Sequence, residues 1–399
     1  MDKSLMTKEK SSLMNNYSRL PITFVKGEGS FVWDEHGDKF LDFTSGIAVC
    51  NLGHVPDQVK EKLMSQLSQI WHTSNLYEIQ SQKDLANLLT NVSVFDQAFF
   101  CNSGAEANEA AIKLARIFAE KKGEKQNRTI VTFEHSFHGR TLGTLSATAQ
   151  EKIQKGFAPI LPGFTYLSYN DFSQLETLQE IDPIAVMFEL VQGEGGVIPA
   201  EKEWIDALVS ICKQNGILLI VDEVQTGMGR TGTLFAYEQY GFEPDVITLA
   251  KGLGSGFPIG AMLAKKEIAE AFAPGTHGST FGGNPLAATA GLATLQTFIS
   301  EDIVKHCEEQ IEYLWSKLHE LQSSFTEIKE IRGKGMLIGL VFADNVSNIV
   351  AKALEEKLLI LSAGAQVVRL LPPLTVTKKE IDCFIEKMSA VLKDVFTNA

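Results

Sequence analysis

The chain has 399 residues, 44% hydrophobic and 21% charged, with 49 acidic against 36 basic side chains and a net charge of −13. Those proportions are those of an ordinary globular protein, and the acidic balance argues against nucleic acid as a partner. A few arginines inside a cleft would still suffice for a small anion. No apolar run reaches the roughly 18 to 20 residues of a membrane span, so no membrane partner is expected. Cys50, Cys101, Cys212, Cys307 and Cys383 are odd in number and widely spaced, with no C-x-x-C pair. Neither a disulfide framework nor a metal site is indicated, and a cytoplasmic location fits best.

The length suggests one large domain and a smaller one. Residues 1–16 are polar and lysine-bearing without an apolar core, which predicts a loose tail and not a secretory signal. Residues 17–60 read as loops and short strands, the N-terminal segment of the smaller domain. Phe31-Val32-Trp33 and Phe40-Leu41-Asp42-Phe43 flank a turn-forming Asp34-Glu35-His36-Gly37 and predict a hairpin. From Pro56 the spacing of Val59, Leu63 and Leu67 predicts a helix.

Residues 61–290 form the expected large domain. Phe95 to Cys101 reads as a strand, followed by Asn102-Ser103-Gly104-Ala105-Glu106 and a helix from Ala107 to Lys122. A strand, a small-residue turn and a helix leave free N–H groups at the turn. Either the turn binds an anion or Ser103 simply caps the helix. Arg128 to Phe133 is the next strand and runs into Glu134-His135-Ser136-Phe137-His138-Gly139-Arg140. The two histidines lack a partner at metal-ligand spacing. Phe137 is either core or a face for stacking, and Arg140 offers a fork that matches a carboxylate. Ile184 to Glu189 is a further strand before the glycine-rich Gln192-Gly193-Glu194-Gly195-Gly196, and a helix follows over Trp204 to Gln214. The alternation of strand and helix predicts a largely parallel sheet. Beyond Asn284 the pattern changes to helices over Ala287 to Ile299 and Ile303 to Gln322. Strands follow at Met336 to Phe342 and Val367 to Leu371, and residues 291–399 are the expected C-terminal part of the smaller domain.

Two apolar runs end abruptly in ionisable residues. Ile217-Leu218-Leu219-Ile220-Val221 ends in Asp222-Glu223, and Asp245-Val246-Ile247-Thr248-Leu249-Ala250 ends in Lys251, before Gly252-Leu253-Gly254-Ser255-Gly256. Such runs are buried parallel strands, whose carboxyl ends face the ligand crevice. A carboxylate and an amine therefore point into one site. A plain ion pair is the bland alternative, but burying one beside a glycine-rich loop is costly without a role. Lysine forms Schiff bases with carbonyl cofactors, and pyridoxal phosphate pairs its ring nitrogen with an aspartate. The literal G-x-G-x-x-G at Gly227 to Gly232 would suggest a dinucleotide. It neither follows its strand directly nor opens a helix, so that reading is set aside.

Several stretches resemble the class III pyridoxal-phosphate aminotransferases: Phe100 to Glu109, Ser136 to Thr141, Val191 to Gly196, Val221 to Gly227, Ala250 to Gly254 and Gly278 to Pro285. The resemblance runs from about Phe24 to Thr375. Gly46-Ile47-Ala48-Val49 with Asn51-Leu52-Gly53-His54 is most similar to the acetylornithine branch of the class. Glu189-Leu190-Val191 departs from the usual Glu-Pro-Ile, keeping the carboxylate.

The resemblance implies an α/β fold of the aspartate-aminotransferase-like type (pyridoxal-phosphate fold type I), with a mostly parallel seven-stranded sheet and a smaller α+β domain. It implies that Lys251 carries pyridoxal 5'-phosphate as a Schiff base and that Asp222 holds the ring nitrogen protonated. Ser103, Gly104 and Ala105 would bind the phosphate. Phe137 and Val224 would cover the two ring faces, Gln225 would lie near the ring hydroxyl, and Thr280 would reach the neighbouring subunit's phosphate in a homodimer with shared sites. Among substrate contacts it implies Ser279, Arg140 on the distal carboxylate, and Arg369 on the α-carboxylate of glutamate. Glu194 would cover Arg369 when that carboxylate is absent, unless the two form a permanent structural pair.

The implied reaction moves the terminal amine of N2-acetylornithine to 2-oxoglutarate, giving glutamate, in arginine biosynthesis. Ornithine, succinyl-diaminopimelate and 4-aminobutyrate remain open as donors. An aminomutase or decarboxylase uses the same frame. A nicotinamide dehydrogenase would fail to give a borohydride-trapped adduct on Lys251.

Overall fold

The computed structural model describes residues 12–123 and 128–397. The expected tail at residues 1–16 therefore falls largely outside the described residues. A seven-stranded sheet runs in the spatial order Gln97–Cys101, Gly260–Ala264, Val246–Leu249, Leu218–Asp222, Ala185–Phe188, Ile130–Phe133 and Phe164–Leu167. Only Gly260–Ala264 runs against its neighbours.

The strands alternate strictly between two cores, as a period of two requires. Leu218, Ile220, Ala185, Met187 and Val246 face one side, where Ala110, Ala111, Leu114 and Ala115 of the Gly104–Lys122 helix cover them. Leu219, Val221, Val186, Phe188, Ile247 and Leu249 face the other side. There the Lys202–Gln214 helix turns in Trp204, Ile205, Leu208, Val209 and Cys212, an amphipathic stripe at helical spacing. Burial on both faces is why these strands read as unbroken apolar runs. Trp204 is fully buried against Phe133 and Tyr169, so truncating it to alanine would cost about 3–5 kcal/mol.

The Gly104–Lys122 helix has clear end signals. The Ser103 side chain caps it by accepting from the Glu106 N–H at 3.2 Å, and Gly123 ends it at φ +66°. Lys121 and Lys122 sit in its last turn, where the helix dipole favours cations.

Besides the two-stranded pair Val191–Gln192 and Ile198–Pro199, two four-stranded sheets stand among the described residues. Phe24–Glu28, Phe31–Asp34 and Lys39–Asp42 form a meander that confirms the expected hairpin, and Leu358–Leu359 from far along the chain adds in parallel to Lys39–Asp42. Ile328–Lys334, Leu337–Phe342, Val367–Leu370 and Leu361–Ser362 make the other sheet. The two ends of the chain are stitched together where Leu371 N donates to Phe43 O at 2.7 Å and Leu374 N donates to Asn51 O at 2.8 Å.

The G-x-G-x-x-G string is a turn that binds its own chain. Arg230 is fully buried and donates to Met336 O (3.1 Å), Pro372 O (2.5 Å) and Asn51 Oδ1 (2.7 Å). Asn51 in turn donates to Met228 O at 2.7 Å. Burial pulls this guanidinium down to about 10. Among the described residues no helix is long and apolar enough to cross a membrane.

Candidate active site

The carboxyl ends of the parallel strands surround a cavity of about 460 Å³, a usual size for a small-molecule site. Asp222 is the last residue of its strand, Lys251 follows Val246–Leu249, and the turn at Ser103 follows Gln97–Cys101. All three line the cavity, together with Gly104, Ala105, Phe137, Arg140, Val224 and Gln225. Sequence spacing alone could not bring these residues together; the parallel sheet does.

Lys251 takes a left-handed backbone at φ +42°, which costs about 1 kcal/mol or more and points to a functional constraint. Gly252 allows the fit, because a Cβ there would fall 2.3 Å from the Asn51 amide. Burial lowers the Lys251 ammonium below the usual lysine range, and Arg369 adds to the lowering. Glu194, Asp222 and Glu189 pull the other way without cancelling it. Lowering of this kind favours the free amine, the form that attacks a carbonyl carbon.

Asp222 is held by three donors. Asn108 Nδ2 and His138 Nδ1 each lie 2.8 Å from Oδ2, and Val224 N donates to Oδ1 at 3.0 Å. A carboxylate facing Nδ1 fixes the tautomer with the proton on that nitrogen. Asn108 is itself oriented, accepting from Thr248 Oγ1 at 2.6 Å and donating to His138 O at 2.7 Å. Sequence reasoning missed both supports. In the sequence His138 reads only as a possible metal ligand, although its place two residues before Arg140, beyond a strand end, is a signal. Asn108 was legible as the one amide on an alanine-lined helix face.

Glu189 is a second buried carboxyl on the cavity wall. Burial pushes it well above the usual carboxylate range and the Asp222 charge pushes further, while the Phe137 N–H at 3.0 Å only partly offsets them.

Arg369 and Glu194 stand just behind Gln225. Arg369 Nη1 reaches Glu194 Oε1 at 2.5 Å, Gly193 O at 3.0 Å and Gln225 Oε1 at 3.3 Å. Burial would raise the Glu194 carboxyl, but Arg369 outweighs it and leaves a net lowering. Arg140 differs. Its guanidinium lies 5.5 Å from the Phe137 ring centroid, and among the described residues it has no carboxylate partner. Ser279 and Thr280 are not brought to this cavity within one chain. They line a neighbouring one with Glu106, Lys113, His277 and Phe281.

The model of the aminotransferase class-III family matches residues 13–392, and the chain belongs to that family. An acetylornithine aminotransferase of Oceanobacillus iheyensis is 54% identical over 395 residues, covering 99% of either chain. One of Bacillus subtilis is 49% identical, covering 96% of this chain and 98% of its own. An ornithine aminotransferase of Toxoplasma gondii superposes with a TM-score of 0.93 at 30% identity, over 97% of this chain and 94% of its own. An N-acetylornithine aminotransferase of Stenotrophomonas maltophilia does so at 0.84 and 37% identity, over 96% and 98%.

The cavity fits the family's cofactor, pyridoxal 5'-phosphate. The first-turn N–H groups of Gly104 and Ala105 have no intrahelical acceptor. A Cβ on Gly104 would fall 2.8 Å from Val224, so the cradle admits only glycine. Ser103 therefore caps the helix while its neighbours remain available to an anion, and the two readings of this turn are compatible.

Proposed function

We propose that the protein transfers the terminal amino group of N2-acetyl-L-ornithine to 2-oxoglutarate, giving N-acetyl-L-glutamate 5-semialdehyde and L-glutamate, a step of arginine biosynthesis. One observation carries the reading: of two arginines at the site, Arg140 lacks a carboxylate partner among the described residues and Arg369 is covered by Glu194. A donor with one carboxylate needs only Arg140. A substrate with two needs Arg369 as well, with Glu194 moved aside. The acetylornithine aminotransferases at 47–54% identity over nearly the full length support the same choice.

In this reading Ser103, Gly104 and Ala105 hold the cofactor phosphate, Phe137 and Val224 the ring faces, Gln225 the ring hydroxyl and Asp222 a proton on the ring nitrogen. When bound, pyridoxal phosphate supplies an aldehyde carbon for the amine and a protonated ring that draws electrons from the reacting bond. Lys251, whose ammonium form burial disfavours, removes a proton from the carbon bearing the donor's terminal amine. His138 and Asn108 keep the Asp222 carboxylate aimed while charge shifts. Arg140 fixes the distal carboxylate so that the reacting carbon lies within reach of Lys251.

The working unit is a homodimer in the cytoplasm, with Thr280 and Ser279 serving the partner's site. Trp71, Leu76, Tyr77 and Phe281 are more than half exposed. Asn75 ties their segment to the 278–283 loop by donating to Ser279 O and Gly282 O at 3.0 Å each. Apolar surface on this scale beside a site loop suits a second copy.

Half-reactions with each donor, followed by cofactor absorbance, test the substrate. Faster turnover of ornithine than of its acetylated form would overturn it. Mixing Lys251→Ala with Thr280→Ala chains tests the shared site. Hybrids with one intact site should restore about a quarter of native activity, and no restoration would show that each chain is self-sufficient.

A further inference from the structure

Arg140 stands between two neighbours that are both fastened to one helix. On its N-terminal side Gly139, at φ +140°, is pressed against the helix start. A Cβ there would fall 2.8 Å from the Ala105 Cβ and 2.5 Å from Thr144 Oγ1. On its C-terminal side the start of the Leu142–Ala147 helix is gripped by Glu109. One carboxylate oxygen of Glu109, Oε1, accepts from Thr141 Oγ1 (2.5 Å), Gly143 N (3.0 Å) and Thr144 N (3.2 Å). Gly143 must be glycine for this grip, since a Cβ would lie 2.4 Å from Glu109 Oε2.

Ala105 and Glu109 are four residues apart on the Gly104–Lys122 helix, so they share one face about one turn apart. The same helix presents its first-turn N–H groups to the cavity. A single rigid rod thus carries both the anion end of the site and the two clamps that locate Arg140.

The geometry points to Glu109 as a positioning residue for Arg140: it fixes the span between the cofactor's phosphate end and the substrate cation, and so the length of carboxylate substrate the cavity accepts. This rests on the reading of Arg140 as the carboxylate anchor. Glu109 itself touches no reacting atom. Were it only a cap for a short helix, its loss would reduce stability without selective loss of substrate binding.

The holoenzyme variants Glu109→Ala and Glu109→Gln separate these cases. Glu109→Ala should raise KM for N2-acetylornithine and for 2-oxoglutarate about 10- to 100-fold, the worth of a charge-assisted hydrogen bond or two lost by a displaced Arg140. Its kcat should fall by less than KM rises, with native cofactor absorbance and faster amide exchange at Gly143 and Thr144. Glu109→Gln keeps an oxygen for the same donors and should stay within about threefold of native in KM. Thr141→Val, which removes one donor and leaves the carboxylate in place, should give a smaller rise of about fivefold and keeps the test open if Glu109→Ala fails to fold. Arg140→Ala runs alongside: an unchanged KM there overturns the anchor reading itself. If Arg140→Ala raises KM while Glu109→Ala speeds exchange and leaves KM unchanged, the positioning role is wrong. It is also wrong if Glu109→Gln is as damaging as Glu109→Ala.

Discussion

Arg140 and Arg369 are two cations of one site built on different footings. Arg369 lies on a central strand, is 2% exposed, and spends its charge on Glu194, Gly193 O and Gln225. Arg140 is exposed on a loop, over the Phe137 ring, held through its neighbours by the Gly104–Lys122 helix. The difference teaches how one cavity can treat two substrates unequally. A fixed, open cation binds whatever carboxylate arrives, whereas a covered one answers only to a ligand able to replace Glu194.

The largest expected effect removes the group both arginines serve. Lys251→Ala should lower kcat by roughly 10²- to 10⁴-fold in each half-reaction, the usual range for a proton-transfer group. Single-turnover absorbance measures it, and a loss confined to one half-reaction would mean that the two substrates do not share this lysine. Next, Arg140→Ala should raise KM for both substrates by about 10- to 100-fold, the worth of a charge-assisted hydrogen bond or two. Arg369→Ala should do so for 2-oxoglutarate alone, and equal damage to the donor would collapse the contrast. Smaller still, Glu194→Gln should shift the preference between donor and 2-oxoglutarate by on the order of fivefold. Equal responses of the two half-reactions would make Glu194–Arg369 a structural pair.

The smallest effect concerns pH and lies away from the arginines. Burial alone would lower His54, but its hydrogen bond to Asp42 at 2.7 Å and its contact with Cys50 raise it to about 10. A histidine raised in the folded state contributes stability in full below its ordinary value near 6.5. That contribution is lost as pH rises through about 10. Asp42→Asn should therefore lower Tm by roughly 2–4 °C at pH 6 and by less at pH 10. Thermal melts across that range check it, and a constant gap would place the effect elsewhere.

Much of this was legible in the sequence where physics is local. The strands ending in Asp222 and Lys251 were visible because burial on both faces demands unbroken apolar runs. The helix after Ser103 was visible because a cap and an alanine stripe announce it. Phe164–Leu167 and the antiparallel Gly260–Ala264 escaped, being short and mixed with glycine or proline. Leu358–Leu359 escaped because nothing local says that it will join Lys39–Asp42. The same holds inside the site. His138 and Asn108 acquire their roles only from Asp222, which lies 84 and 114 residues away in the chain, and Ser279 and Thr280 stand outside the cavity of their own chain.

The buried Arg230 has a consequence for how the protein is made. Its carbonyl partners lie 106 and 142 residues later in the chain, at Met336 and Pro372. A ribosome that has finished Asp222 and Lys251 has therefore still not delivered what neutralises the polar demand of the turn between them. Until Pro372 emerges, that guanidinium must stay hydrated and the turn open. The turn is synthesised in the middle of the chain, but its buried hydrogen bonds can form only once the last part of the chain has been made.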